Sequence, residues 1–172
     1  TDCYVAAVNG EDGSAAVFGY NKKSGMKRVS ADGKVTKVNL QLPEYQATGK
    51  ESDDTENFVT SAVYADNKLF VTDLNWVVYE VNPQTGEMSK AFSDISENVN
   101  RLIPAGTKFA LMTDKGIQFA DAKRGALAER MQNDDVLQQA MGKFRDSDNS
   151  DSNNIAMTMG DSGDELYYID ND

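Results

Sequence analysis

Histidine is missing altogether from this chain of 172 residues, cysteine and tryptophan occur once each, and proline occurs three times. Each shortage excludes something. Without histidine there is no Ser-His or Cys-His nucleophile and no imidazole metal ligand. Cys3 standing alone leaves no intramolecular disulfide and no zinc–thiolate cluster. No apolar run comes near the roughly 20 residues that a membrane-spanning helix needs. Positive charge is also short: 17 Lys and Arg stand against 28 Asp and Glu, a net charge of −11 that repels nucleic-acid phosphates. Neither a G-x-x-x-x-G-K-[ST] loop nor a G-x-G-x-x-G turn occurs, so nothing points to a nucleotide cradle.

What is present is an ordinary globular composition, 40% apolar and 26% charged. The length suits one domain of residues 1–172. Thr1-Asp2 precede Cys3, and the chain has neither an initiator Met nor a signal peptide. Cys3 therefore reads as a small strand residue rather than a lipidated N-terminus, and the chain reads as trimmed or as a fragment of a larger protein.

Strand signals dominate. Phe58 to Tyr64 is β-branched and aromatic, and Ala65-Asp66-Asn67-Lys68 makes a turn. Leu69 to Asp73 and Trp76 to Val81 follow as strands, and Asn82-Pro83-Gln84-Thr85-Gly86-Glu87 is a strong turn signal. Met88 to Phe92 closes the unit in period-two alternation. Weaker echoes lie at Cys3–Val38, with an Asp32-Gly33 hairpin, at Asn100–Asp121 and at Ile155–Asp170. Two stretches break the rhythm. Residues 43–57 are polar and turn-rich, with an acidic run from Glu51 to Glu56 that reads as a solvated loop. Residues 126–144 predict one short helix, with Leu137, Met141 and Phe144 on one stripe.

The phrases Lys68-Leu69-Phe70-Val71-Thr72-Asp73 and Val78-Tyr79-Glu80-Val81-Asn82-Pro83-Gln84-Thr85-Gly86-Glu87 resemble a blade of the quinoprotein-like and YncE-like β-propellers. The resemblance implies a repeat of four-stranded meanders. At about 43 residues per blade the chain holds roughly four units, a closed ring or part of a larger one. It implies no cofactor, because the regular tryptophan docking pattern of the quinoprotein blades is absent and Trp76 is the only Trp.

The segment Asp146 to Asn154 resembles a degenerate calcium loop of the FG-GAP type. Asp146 and Asp148 match the first and third positions, Ser150 stands at the fifth and Asn154 at the last, and Asp151 replaces the glycine. Calcium is the cofactor this implies, held by those oxygens. A flexible acidic loop is the competing reading. Residues 146–172 carry eight acids and no Lys or Arg, which suits either.

The fold expected is all-β and mainly antiparallel: a β-propeller or propeller-like array, with a β-sandwich as the alternative. The function expected is a non-catalytic binding or scaffold domain outside the cytoplasm (periplasmic, cell-surface or secreted) that presents loops to a protein or glycan partner. Two alternatives stay open: a carboxylate-based glycan-acting enzyme, and a structural subunit forming homo-oligomers through its sheet edges. No catalytic pair can be named, since spacing in a β-rich chain does not show which carboxylates meet across a cleft. Tyr20, Tyr45, Trp76, Tyr79, Tyr167 and Tyr168 are expected to pack between sheets, and any left exposed would be available to stack on a ligand.

Overall fold

The computed structural model describes residues 3–9, 15–46, 56–105, 108–113, 115–130, 157–159 and 166–168. They form an all-β, antiparallel chain of three four-stranded meanders and a hairpin. Sheet A holds β1 (Cys3–Asn9), β2 (Ala15–Asn21), β3 (Gly25–Ser30) and β4 (Val35–Val38). Sheet B holds β5 (Val59–Ala65), β6 (Lys68–Asp73), β7 (Val78–Val81) and β8 (Met88–Lys90). Sheet C holds β9 (Val99–Ala105), β10 (Lys108–Thr113), β11 (Gly116–Asp121) and β12 (Ala126–Arg130), and β13 (Met157–Met159) pairs with β14 (Leu166–Tyr168). Within every sheet the strands lie in chain order, and the leading strands adjoin: β1 with β5, β5 with β9, and β9 with β13.

Turn chemistry explains the meanders. Asp66 and Asn67 both take positive φ, 49° and 58°, the two-residue turn whose twist matches a right-twisted hairpin. Three longer turns repeat one device, in which an Asn or Asp side chain accepts backbone N–H groups ahead of a glycine at positive φ. Asn21 Oδ1 accepts from Lys23 N at 2.9 Å before Gly25. Asn82 Oδ1 accepts from Gln84 N at 2.9 Å before Gly86. Asp121 Oδ1 accepts from Arg124 N at 3.0 Å before Gly125. The Arg124 backbone N–H, and next its guanidinium, hold Asp121 below the usual carboxylate range.

The sheets stack face to face, and sheet B is covered on both sides. Phe18, Tyr20, Met26 and Val38 of sheet A meet Val59, Tyr64, Leu69, Val71 and Val81 of sheet B. On the other face Val63, Phe70, Val78 and Phe92 meet Leu102, Phe109, Leu111 and Ala120 of sheet C. At its heart Phe70, Phe92 and Phe109 cluster with ring centroids 4.7–5.7 Å apart. Ile103, Ala105, Ala110 and Ile117 form a third core on the far face of sheet C.

A bulge recurs near the start of the leading strand of sheets B and C. Val59 faces Asp73 and Ser61 faces Thr72, so Thr60 is the extra residue; Val99 faces Thr113 and Arg101 faces Met112, so Asn100 is. Each bulge switches the alternation, which puts Val59 on one face with Ala62 and Tyr64, and Val99 on one face with Leu102.

The helix expected over 126–144 is corrected at its start. Ala126–Arg130 is β12, paired with β11 through Asp121↔Ala126 and Ala120↔Leu127. The Asp121–Gly125 turn returns the chain onto a waiting strand edge, and that pairing outweighs the helix propensity of Ala-Leu-Ala-Glu-Arg. The rest of that stretch, with Leu137, Met141 and Phe144, lies outside the described residues.

Candidate binding surface

The site is built from the loop between β6 and β7. Asp73 ends β6 with only 2% of its surface exposed. Its Oδ1 accepts from Asn75 N at 3.0 Å and Val77 N at 3.3 Å, and its Oδ2 from Asn57 Nδ2 at 2.8 Å and Asn75 Nδ2 at 3.2 Å. A buried carboxylate survives without a counter-ion when donors surround it in this way. Asn57 and Asn75 carry the network outward. Asn57 Nδ2 donates to Pro43 O at 2.8 Å and Asn57 Oδ1 accepts from Leu74 N at 3.1 Å. Asn75 donates to Glu44 O at 3.1 Å and accepts from Gln46 N at 2.8 Å. The A–B connection at residues 43–46 is thereby tied to sheet B. Burial, and next the negative charge of Asp73, push the Tyr79 hydroxyl above its ordinary range.

Trp76 sits on this anchored loop with φ at 64°, a left-handed conformation that a bulky residue adopts only under constraint. The constraint is visible in the backbone. Trp76 N donates to Asp73 O at 3.1 Å, and Trp76 O accepts from Val99 N of β9 at 3.0 Å. The residue is 49% exposed.

Beside the A–B connection lies a cleft of about 670 Å³ whose walls include Tyr20, Lys22, Lys37, Tyr45 and Glu56. Lys22 Nζ stands 4.8 Å from the centre of the Phe58 ring.

The expected aromatic packing divides. Tyr20 is buried, Tyr45 and Tyr79 are half-buried, and Trp76 and Tyr167 are exposed. Trp76 is a correction, since it neither continues β7 nor enters a core: the hydrogen bonds to Asp73 and Val99 hold it in a loop. Nothing is described of the Tyr168 side chain, and Asp146, Asp148, Ser150, Asn154 and the Glu51–Thr55 part of the acidic run lie outside the described residues. Among the described residues no three metal-ligating side chains gather, and no helix is long and apolar enough to cross a membrane.

The Asn57–Asp73–Asn75 network was not foreseen. Its one sequence signal is an Asp at the end of a β-branched run followed closely by Asn, which marks a side-chain-capped loop.

No family model matches the chain, and no curated protein does either. Among solved structures it is similar to the extracellular domain of a one-component system from B. thetaiotaomicron, with 17% identity and a TM-score of 0.42, over 77% of this chain and 17% of that one. It is also similar to puromycin hydrolase, with 18% identity and a TM-score of 0.44, over 74% of this chain and 22% of that one. The chain thus spans about a fifth of the length of either.

Proposed function

We propose that this chain is a propeller-like, non-catalytic binding module that works outside the cytoplasm and presents the Trp76 end of its sheets to a protein or glycan partner. Adjoining leading strands, the bulge shared by sheets B and C, and the repeated Asx–Gly turn support the propeller-like reading. The observation that carries the binding role is Trp76: a half-exposed indole on a backbone fixed by two hydrogen bonds and anchored by a buried carboxylate. A rigid aromatic platform loses little entropy on binding, and a structure that needs only stability gains nothing from a tryptophan in left-handed backbone at its surface. The chemistry of Asp73 favours a scaffold over an enzyme. It is the only charged side chain buried among the described residues, and both its oxygens are already engaged.

Because Trp76 is the sole tryptophan, its own fluorescence reports the site. Titration with a panel of neutral and acidic oligosaccharides and extended peptides is expected to shift or quench the emission for one class. W76A is expected to weaken that ligand at least about tenfold, or about 1.4 kcal/mol, as read by calorimetry. A panel that leaves the emission unmoved, or W76A binding at wild-type strength, defeats the reading.

A further inference from the structure

The opposite end of sheet B, at the turns Asp66–Asn67 and Asn82–Glu87, borders a second cleft, of about 800 Å³. One wall is Arg28 of β3 and Gln41 of the A–B connection. The other is sheet B, with Asn67, Lys68, Glu80, Asn82 and Gln84. Arg28 is half-buried, its Nε is sealed from solvent, and that atom has no hydrogen-bond partner among the described residues. Glu80 and Glu87 also line the cleft, and neither is paired with Arg28. Glu80 pairs with Lys68 at 3.7 Å, and Glu87 accepts from Thr85 Oγ1 at 3.3 Å.

A half-buried guanidinium whose Nε is stripped of water, with no counter-ion among the described residues, is a poor way to stabilise a fold and a good way to hold an anion. Its planar fork matches a carboxylate, and partial desolvation strengthens the attraction over that at an open surface. The rest of the lining is rich in amides, from Gln41, Asn67, Asn82 and Gln84. Asn82 spends its carbonyl oxygen on the backbone of its own turn and keeps its amide hydrogens to donate. Amides beside one cation that is not in an ion pair, Lys68 being paired with Glu80, suit a ligand with several hydroxyls and one acid, and the volume falls within the range of small-molecule sites.

We infer that the cleft between sheets A and B binds an acidic sugar, with its carboxylate on Arg28 and its hydroxyls on the amide rim. This site is separate from the Trp76 surface, so either can fail without the other.

The test is calorimetric titration of the whole chain with a disaccharide of two hexuronic acids. Its methyl ester and sodium glutamate serve as probes of the charge and of the sugar. Wild type is expected to bind the diacid, with the ester at least tenfold weaker and glutamate weaker still. R28K, which keeps the charge and loses the fork, is expected to bind at least tenfold more weakly. R28M is expected to show no binding, to melt no lower than wild type, and W76A to bind the diacid normally. Ester binding equal to the diacid, or R28M binding at wild-type strength, overturns the role of Arg28. Glutamate binding as tightly as the diacid overturns the sugar. No heat with wild type overturns the site as a whole, and the ester comparison uses wild type alone, so it stands even if R28M fails to fold.

Discussion

Two glycines with the same backbone angle separate two reasons for being glycine. Gly33 and Gly86 both have φ at +80°, but a Cβ at Gly33 would meet open space, whereas at Gly86 it would lie 1.9 Å from the Asn39 carbonyl oxygen. Gly33→Ala should therefore cost only the left-handed penalty, about 1 kcal/mol. Gly86→Ala adds a collision between two backbones, where no flexible side chain can yield, and should exceed about 3 kcal/mol once the strain of a displaced turn is included. Urea unfolding of the pair checks this, and equal losses would show that the Asn82–Gly86 turn does not bear on the A–B connection. The turn itself is legible in the sequence, because Asn-Pro-Gln-Thr-Gly carries its conformation locally. The contact with Asn39 is not, since nothing local records which backbone arrives beside a hairpin.

At the scale of one element, the β6–β7 loop joins stability to pH. The Tyr79 hydroxyl titrates above its ordinary range because it is half-buried and lies near the Asp73 carboxylate. With the folded value above the unfolded one, the native state keeps a proton that the unfolded chain gives up. The contribution is thus fully present below about pH 10, the ordinary tyrosine range, and fades as pH rises through the raised folded value. Tyr79→Phe should flatten the decline of melting temperature above about pH 10 and lower the neutral-pH value, because the hydroxyl's hydrogen bond to Asp73 is lost. A wild-type slope in the variant would place the alkaline sensitivity elsewhere. The sequence showed Asp73 as a strand end but not its partners. Asn57 lies far back along the chain, and a side-chain pair at that separation leaves no periodic trace. The same holds for Ser61 Oγ, which accepts Leu102 N at 2.9 Å from the neighbouring sheet. Trp76 and β12 failed in the sequence reading for a related reason. Local propensity favours starting the strand at Trp76 and a helix for Ala-Leu-Ala-Glu-Arg, but hydrogen bonds hold Trp76 in the loop, so that β7 begins at Val78, and pair Ala126–Arg130 with β11.

In the whole molecule, meanders follow one another in chain order, so each sheet forms from local pairings and gains its stability from its neighbours, much as repeats do. That arrangement predicts a gradient. Strand β6 lies between two cores, with Leu69 and Val71 turned to sheet A and Phe70 to sheet C, all three fully buried. Strands β4 and β8 are outer edges, and most of their described side chains are open to solvent. Native-state hydrogen exchange should therefore release β4 and β8 through openings well below the global free energy, and β6 only with global unfolding. Phe109→Ala, which empties the aromatic cluster shared by sheets B and C, should cost about 3–5 kcal/mol and lower the protection of β6 along with that of β10. If β10 alone lost protection, the sheets would be separate cooperative units that touch. A shared loss would make the buried faces of sheet B the link that holds the Trp76 loop at one of its ends and the Arg28 cleft at the other in fixed relation.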